Sequence, residues 1–328
     1  MLAIHHRRNP PVLSHVLVER SPACGRVSAV SFGRMQVIQR GAFVKFAIFS
    51  AACVVAWIAP GPVLGIANGL LGGSLDGRAG RWAYVVTVLL LLLGITRLAL
   101  WREGKSLSAL GLAFDSRRLR EFGYGFAITS VLFGGAALAC AVWVGASWRF
   151  EGVAGILRLL LGLPVAFLLM AGEELVFRGY GFRHLIAAMG AHTALVISAL
   201  AFGVYHLALT GFSMWGIGAF WVVVLPALGG IVFGLAMIRT GGLALPLGLH
   251  LGGNWIQASV LRFAGPTEGA PSALFTASLT TNQAQQLWSP DLLPHVPYLF
   301  VTVVAFIVVA LRNSPADEGR MGTRSTSF

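Results

Sequence analysis

Two adjacent carboxylates, Glu173 and Glu174, stand four and five residues before Arg178 in a stretch of Leu, Val, Ala, Gly and Phe, and they are the only acidic residues between Glu151 and Glu268. A charge at membrane depth costs about 2.5–3.5 kcal/mol on insertion scales, so such residues ask for a functional reading. On a helix, residues four apart share a face, and Glu174 with Arg178 has the acid on the favourable, N-terminal side. Glu173 lies about 100° round the same helix and cannot share all of those contacts. One reading is that Arg178 neutralises Glu174 and leaves Glu173 to act elsewhere. Two more i,i+4 pairs follow: Phe202 with His206, and His250 with Asn254.

A glutamate and two histidines converging in a low-dielectric cavity have two chemical uses. Glu173, His206 and His250 could hold Zn²⁺, with water in the fourth position. Alternatively, Glu173 could serve directly as general base on a water oriented by His206. The Asn254 amide, one turn from His250, is the right donor for a tetrahedral oxyanion. Both uses point to hydrolysis of an amide by activated water. Other membrane-protease chemistries find no counterpart: there is no HExxH, no GxSxG, and no pair of embedded aspartates. Singly, each residue also has a structural reading. Glu174–Arg178 could be an ion pair locking two helices, His206 a hydrogen-bonded core histidine, and Asn254 an interhelical tie.

The elements that must position these groups are membrane helices. Of the 328 residues, 56% are hydrophobic and 11% charged, against about 25% charged in soluble domains, and the mean hydropathy is +0.78. Repeated apolar runs of about 20 residues give the fold class: an all-α, polytopic integral membrane bundle of about eight transmembrane helices. Spans are expected near 42–59, 83–100, 122–144, 153–171, 192–209, 216–238, 243–261 and 296–311, with Pro226 kinking the sixth. For Glu173 to meet His206, either the fourth helix continues past Arg178 or the fifth span begins later than His192; a fourth helix reaching about Leu185 is the favoured arrangement. Residues 105–112 precede a short amphipathic segment suited to the membrane surface. Residues 262–294 read as a polar loop, and Gly229-Gly230, Gly241-Gly242 and Gly252-Gly253 as sites of close helix approach.

The domain organisation is a polar segment at 1–40, a transmembrane domain at 41–311 and a polar tail at 312–328. The first segment has no apolar run of signal type, and translation starting at Met35 fits the pattern. The net charge of +12 is spread over short loops rather than gathered in one patch. That is positive-inside patterning, which argues against nucleic acid and puts both termini in the cytoplasm. Cys53 and Cys140 read as packing residues in apolar runs.

Glu173-Glu174-x-x-x-Arg178, Phe202-x-x-x-His206 and His250-x-x-x-Asn254, in this order on successive helices, resemble the CPBP family of intramembrane proteases. That family includes type II CAAX prenyl endopeptidases and bacteriocin self-immunity (Abi) proteins. The resemblance covers about 107–261. It implies an intramembrane endopeptidase acting on a membrane-embedded or lipidated peptide or protein. Glu173 and His206 would activate water, His250 and Asn254 would stabilise the oxyanion, and Glu174 and Arg178 would support the site. It also leaves open a metalloprotease carrying Zn. The Ala, Gly and Arg richness leans towards a bacterial inner membrane, with the site opening to the cytoplasm. A secondary transporter and a non-catalytic scaffold or immunity factor are the competing classes.

Overall fold

The computed structural model describes residues 24–70, 72–73, 77–112, 115–266, 273–289 and 291–311. Helix α1 (Cys24–Ile58) is followed, after one turn residue, by α2 (Pro60–Leu70), whose leading proline suits a first helical position. Then come α3 (Gly77–Trp101), α4 (Ser116–Val144), α5 (Gly152–Arg178), α6 (Tyr180–Met189), α7 (Ala191–Leu209), α8 (Gly216–Thr240), α9 (Ala244–Trp255), α10 (Thr281–Leu287) and α11 (Val296–Ala310). Helix α1 starts upstream of Met35, inside the stretch read from sequence as irregular. The rest of the expected polar ends, 1–23 and 312–328, lies outside the described residues.

Among the described residues, seven stretches are long and apolar enough to cross a membrane. The chain is a polytopic integral membrane protein. The span expected at 243–261 is not one of the seven, because α9 has 12 residues and passes into a π-helical turn, Ile256–Val260. Nevertheless α9 runs parallel to α4 from end to end. At its start, the Leu243 N–H donates to the Leu110 carbonyl, and Arg118 donates to the Thr240 carbonyl at 3.1 Å. At its far end it leads into strand β2 (Leu261–Ala264), which shares a sheet with strand β1 (Arg149–Phe150) beyond the end of α4. The eighth crossing is therefore shorter than its neighbours and buried on all sides, with Leu245 through Gly253 all in the core.

Missing side chains make that burial possible. A Cβ at Gly248 would collide with the Phe122 carbonyl oxygen, and one at Gly252 with that of Phe126. Gly125 on α4 returns the arrangement, since a Cβ there would lie 2.8 Å from the Leu245 oxygen. Small residues let membrane helices approach until backbones touch, where dispersion and weak polar contacts replace the absent hydrophobic drive. Gly252 behaves as its sequence suggested. Gly241 does not: it is the left-handed C-cap of α8, with φ at +68°, and Gly242 packs instead against Gly111 and Arg118.

The region 262–294 is more ordered than a polar loop. Strand β3 (Phe275–Ser278) pairs antiparallel with β1 and parallel with β2, giving the order β1-β3-β2. Thr280 then caps α10 through a capping box with Gln283, and the Gln283 amide donates to the Val144 carbonyl at 3.0 Å. The alternation that announces a strand is too brief to read in segments of two to four residues.

At the opposite end, the turn after α3 is a charge hub. Glu103 accepts from Lys45 at 2.7 Å, Lys105 at 2.9 Å and Tyr180 at 2.9 Å, and lies 3.0 Å from His184. It ties α1, α3 and α6 together. Residues 116–121, expected near the membrane surface, are the first turns of α4, where Asp115 caps Arg118 and buried Glu121 takes Arg117 and Arg118.

Two outcomes follow. Gly248→Ala lowers stability by about 1–3 kcal/mol through overpacking, whereas Gly94→Ala, with nothing near its Cβ, does not; thermal unfolding in detergent reads both. Burial by itself would raise the Glu103 carboxyl, but hydrogen bonds from Lys45, Lys105 and Tyr180, with His184 alongside, hold it at about 2. A carboxyl held below its ordinary 4.5 stabilises the fold above that value and loses the contribution as pH falls towards 2. Glu103→Gln is accordingly less stable than wild type at neutral pH, with the gap closing between pH 4.5 and 2 in parallel pH-dependent melts.

Candidate active site

Helix α5 continues past Glu173 and Glu174 to Arg178, as the meeting of the three motifs required, and then breaks. The break falls at Gly179, where a Cβ would collide with the Leu175 carbonyl oxygen. Helix α6 resumes at Tyr180 and reaches Met189, so the continuous helix to about 185 is in fact two helices joined at a glycine.

Arg178 is fully buried. Its Nη1 donates to Glu174 Oε1 at 3.2 Å, and its guanidinium lies 4.2 Å from the Phe202 ring centre, within 5.7 Å of Phe177 and 5.4 Å of Phe233. A cation desolvated among aromatic faces recovers part of its lost hydration from the ring quadrupoles. Gly230 on α8 leaves the space, since a Cβ there would sit 2.9 Å from Arg178 Nη2.

The same Glu174 oxygen is 2.8 Å from His250 Nδ1. A carboxylate paired with arginine accepts, so Nδ1 carries a hydrogen, and a ring holding that one hydrogen has its lone pair on Nε2. That Nε2 lies 3.7 Å from Glu173 Oε2. Glu173 Oε1 accepts from the Tyr205 hydroxyl at 3.3 Å. Four buried atoms here have no hydrogen-bond partner among the described residues: Glu173 Oε2, Glu174 Oε2, and Nε and Nη2 of Arg178. Buried polar atoms are satisfied in the great majority of cases, so four such atoms side by side single out this cluster.

Six residues singled out from the sequence thus divide into two layers. Glu173, Glu174, Arg178 and His250 form one buried network. His206 and Asn254 stand in front of it, lining with His250 a cavity of about 730 Å³. His206 directs Nδ1 to the Phe202 carbonyl of its own helix at 2.8 Å, and Asn254 donates to the Met170 sulfur at 2.8 Å. Glu173 contacts His250 and Tyr205 rather than His206, and it is not among the cavity-lining residues.

Among the described residues, no three His, Cys, Asp or Glu side chains are grouped so as to hold a metal ion. The set Glu173, His206 and His250 does not assemble as ligands in this arrangement. Tyr205 and Met170 were missed by the sequence reading. Tyr205 was signalled only by its hydroxyl beside His206 in an apolar helix, and Met170 by lying one turn before Glu173.

The cavity reaches one end of the bundle. Leu209, Thr210, Met214, Trp288, Ser289 and His295 line it, all at the end opposite the basic turn between α3 and α4. The floor is formed by Phe202, Phe233, Leu249 and His250, and among the described residues none from the basic end contributes.

Residues 152–256 match the family model described as Type II CAAX prenyl endopeptidase Rce1-like. The match covers about a third of the chain and supports the resemblance drawn from the three motifs. The matched segment starts with α5 and ends on the first residue of the π-helical turn, so it contains all three motifs; it is narrower than the stretch 107–261 expected from the sequence. The Rce1-like assignment supports a membrane-embedded protease. Comparison with curated proteins and with solved structures returned no match.

Removing the cation tests the network. Arg178→Leu leaves buried Glu174 without its ion pair and costs about 3–5 kcal/mol. Arg178→Lys recovers only part of this, since an ammonium cannot stack flat on Phe202. Unfolding midpoints in detergent provide the check.

Proposed function

We propose that the protein is an intramembrane endopeptidase that hydrolyses an amide of a membrane-associated or lipidated peptide with a water activated by Glu173. The observation that carries this is the unbonded Glu173 Oε2 lying 3.7 Å from His250 Nε2, next to a cavity lined by His206, His250 and Asn254. The separation is too long for a direct hydrogen bond and suits a water that donates to both atoms.

The distances favour a division of labour different from the one implied by motif order. Glu173 and His250 hold the water in this reading, with Nδ1 committed to Glu174 and Nε2 of the singly protonated ring accepting. Glu174 and Arg178 fix that tautomer. Water oxygen attacks the carbonyl carbon while its proton passes to Glu173. The Asn254 amide turns a hydrogen from Met170 to the oxyanion. Glu173 returns that proton to the departing amine as the carbon–nitrogen bond breaks, with His206 on the cavity wall beside the substrate. Both termini lie on the cytoplasmic side of a cell membrane in this reading, since Arg102, Lys105, Arg117, Arg118, Arg183 and Arg239 gather at the end where α4 starts and α8 finishes.

The test uses protein reconstituted in lipid with a library of transmembrane and lipidated peptides, and mass spectrometry of the products. Glu173→Gln loses about 10²–10⁴-fold in cleavage rate and Asn254→Ala about 10²–10³-fold, both with wild-type unfolding midpoints. Cleavage undiminished in Glu173→Gln ends this reading.

A further inference from the structure

The cavity extends from the candidate site to one end of the bundle, and the chain's charge pattern fixes which end. Helices α7 and α8 meet at their far ends, away from the basic turn, and Leu209, Thr210, Met214, Gly218 and Trp221 from this corner line the cavity. Trp288, Ser289 and His295, from the segment that leads into α11, complete the mouth. The basic residues gathered at the opposite end mark the cytoplasmic side. Arg78, Arg81, Arg149 and Arg262 lie at the mouth end, and Arg149 is paired there with Glu151 at 3.1 Å.

The wall restricts what enters. Among the described residues, no Asp, Glu, Lys or Arg lines the cavity, so a charged side chain would find no counter-ion among them and would bear a large desolvation cost. The wall is not purely apolar either: Thr129, Thr210, Gln257, Ser289, Tyr298 and Thr302 are spaced along it. Thr129, Thr210, Gln257, Ser289 and Thr302 already donate within the protein, so their oxygens keep lone pairs that a peptide N–H can use and an acyl chain cannot. Along α8, lining residues run from Gly218 to Phe233, roughly 22 Å at 1.5 Å per residue, which accommodates about six or seven extended residues.

We propose that this cavity opens on the extracytoplasmic face and admits an uncharged, apolar stretch of peptide from that side, carrying the bond to be cut down to His250 and Asn254. The substrate class is thus a membrane protein or peptide with an accessible segment outside the cytoplasm. Sidedness stands on the fold and charge pattern; the fate of the peptide at the floor rests on the peptidase reading above.

Thiol labelling tests the two parts separately. Cys24 and Cys140 are replaced by Ala, and Cys53, buried in the core, is kept as a silent background. Into this chain are introduced, one at a time, Met214→Cys at the mouth, Trp215→Cys beside it but outside the lining, and Ser106→Cys in the basic turn. Intact bacterial cells expressing each variant are treated with a membrane-impermeant maleimide. Met214→Cys and Trp215→Cys label from outside, and Ser106→Cys labels only after permeabilisation. In reconstituted protein, label on Met214→Cys abolishes peptide cleavage and label on Trp215→Cys leaves it unchanged. Cleavage sites lie within uncharged stretches, and a lysine placed in the middle of a cleaved stretch abolishes cutting.

Labelling of Met214→Cys only after permeabilisation overturns the sidedness. External labelling with unchanged cleavage overturns the route to the site, and continued cutting of lysine-bearing peptides overturns the uncharged occupant. External labelling of a protein that cleaves nothing removes the peptidase reading, and the substrate assignment with it, while the sidedness stands.

Discussion

Everything near the candidate site depends on keeping one guanidinium charged where there is no water. Arg178 has no exposed surface, and removing an ion from water costs several kcal/mol even after relaxation. Its support comes from three sources: the Glu174 carboxylate, the faces of Phe177, Phe202 and Phe233, and space conceded by Gly230. Meeting that demand brings α5, α7 and α8 together and sets the direction of His250, because the Glu174 oxygen that pairs with Arg178 also receives Nδ1. The structural charge pair and the chemical histidine are therefore one unit, and a change at Arg178 reaches His250 through a single oxygen atom.

Backbone proximity is the second requirement. His250 and Asn254 ride on a short helix sunk into the core, which exists only because Gly248 and Gly252 allow α4 to touch it. A helix this deep brings two polar residues to the centre of the bundle without exposing polar backbone to lipid, since its own ladder satisfies the backbone. The π-helical turn that follows and the three-stranded sheet at its end carry the chain outwards. That end of the bundle, capped by strands and α10 rather than by tight helical turns, is also where the cavity opens.

The layered arrangement suits hydrolysis in an apolar medium. A buried network holds the base and fixes a tautomer, while the groups facing the cavity, His206 and Asn254, are free of the ion pairs behind them. Water reaching Glu173 would be held between two acceptors in a low-dielectric setting, where each hydrogen bond is stronger than in solution.

Much of this was legible in the chain. Hydropathy alone determined a bundle of about eight membrane helices, because lipid leaves the backbone no alternative. Charged and polar side chains isolated in apolar runs named Glu173, Glu174, Arg178, His206, His250 and Asn254, since burying such groups bears a cost that demands explanation. The i,i+4 spacing determined the Glu174–Arg178 pair, which is a local property of one helix. What lies across helices was decided by tertiary structure. That Glu173 meets His250 and Tyr205 rather than His206 depends on the rotation of α7 and α9 about their axes, which a periodic apolar pattern surrounded by lipid does not fix. The break at Gly179, the depth of α9 and the small sheet in 262–294 follow from close contacts, whose sequence signal is a glycine or a few β-forming residues among many. The direction in which the cavity opens is settled by where helix ends of four separate segments converge, and no window of sequence contains that.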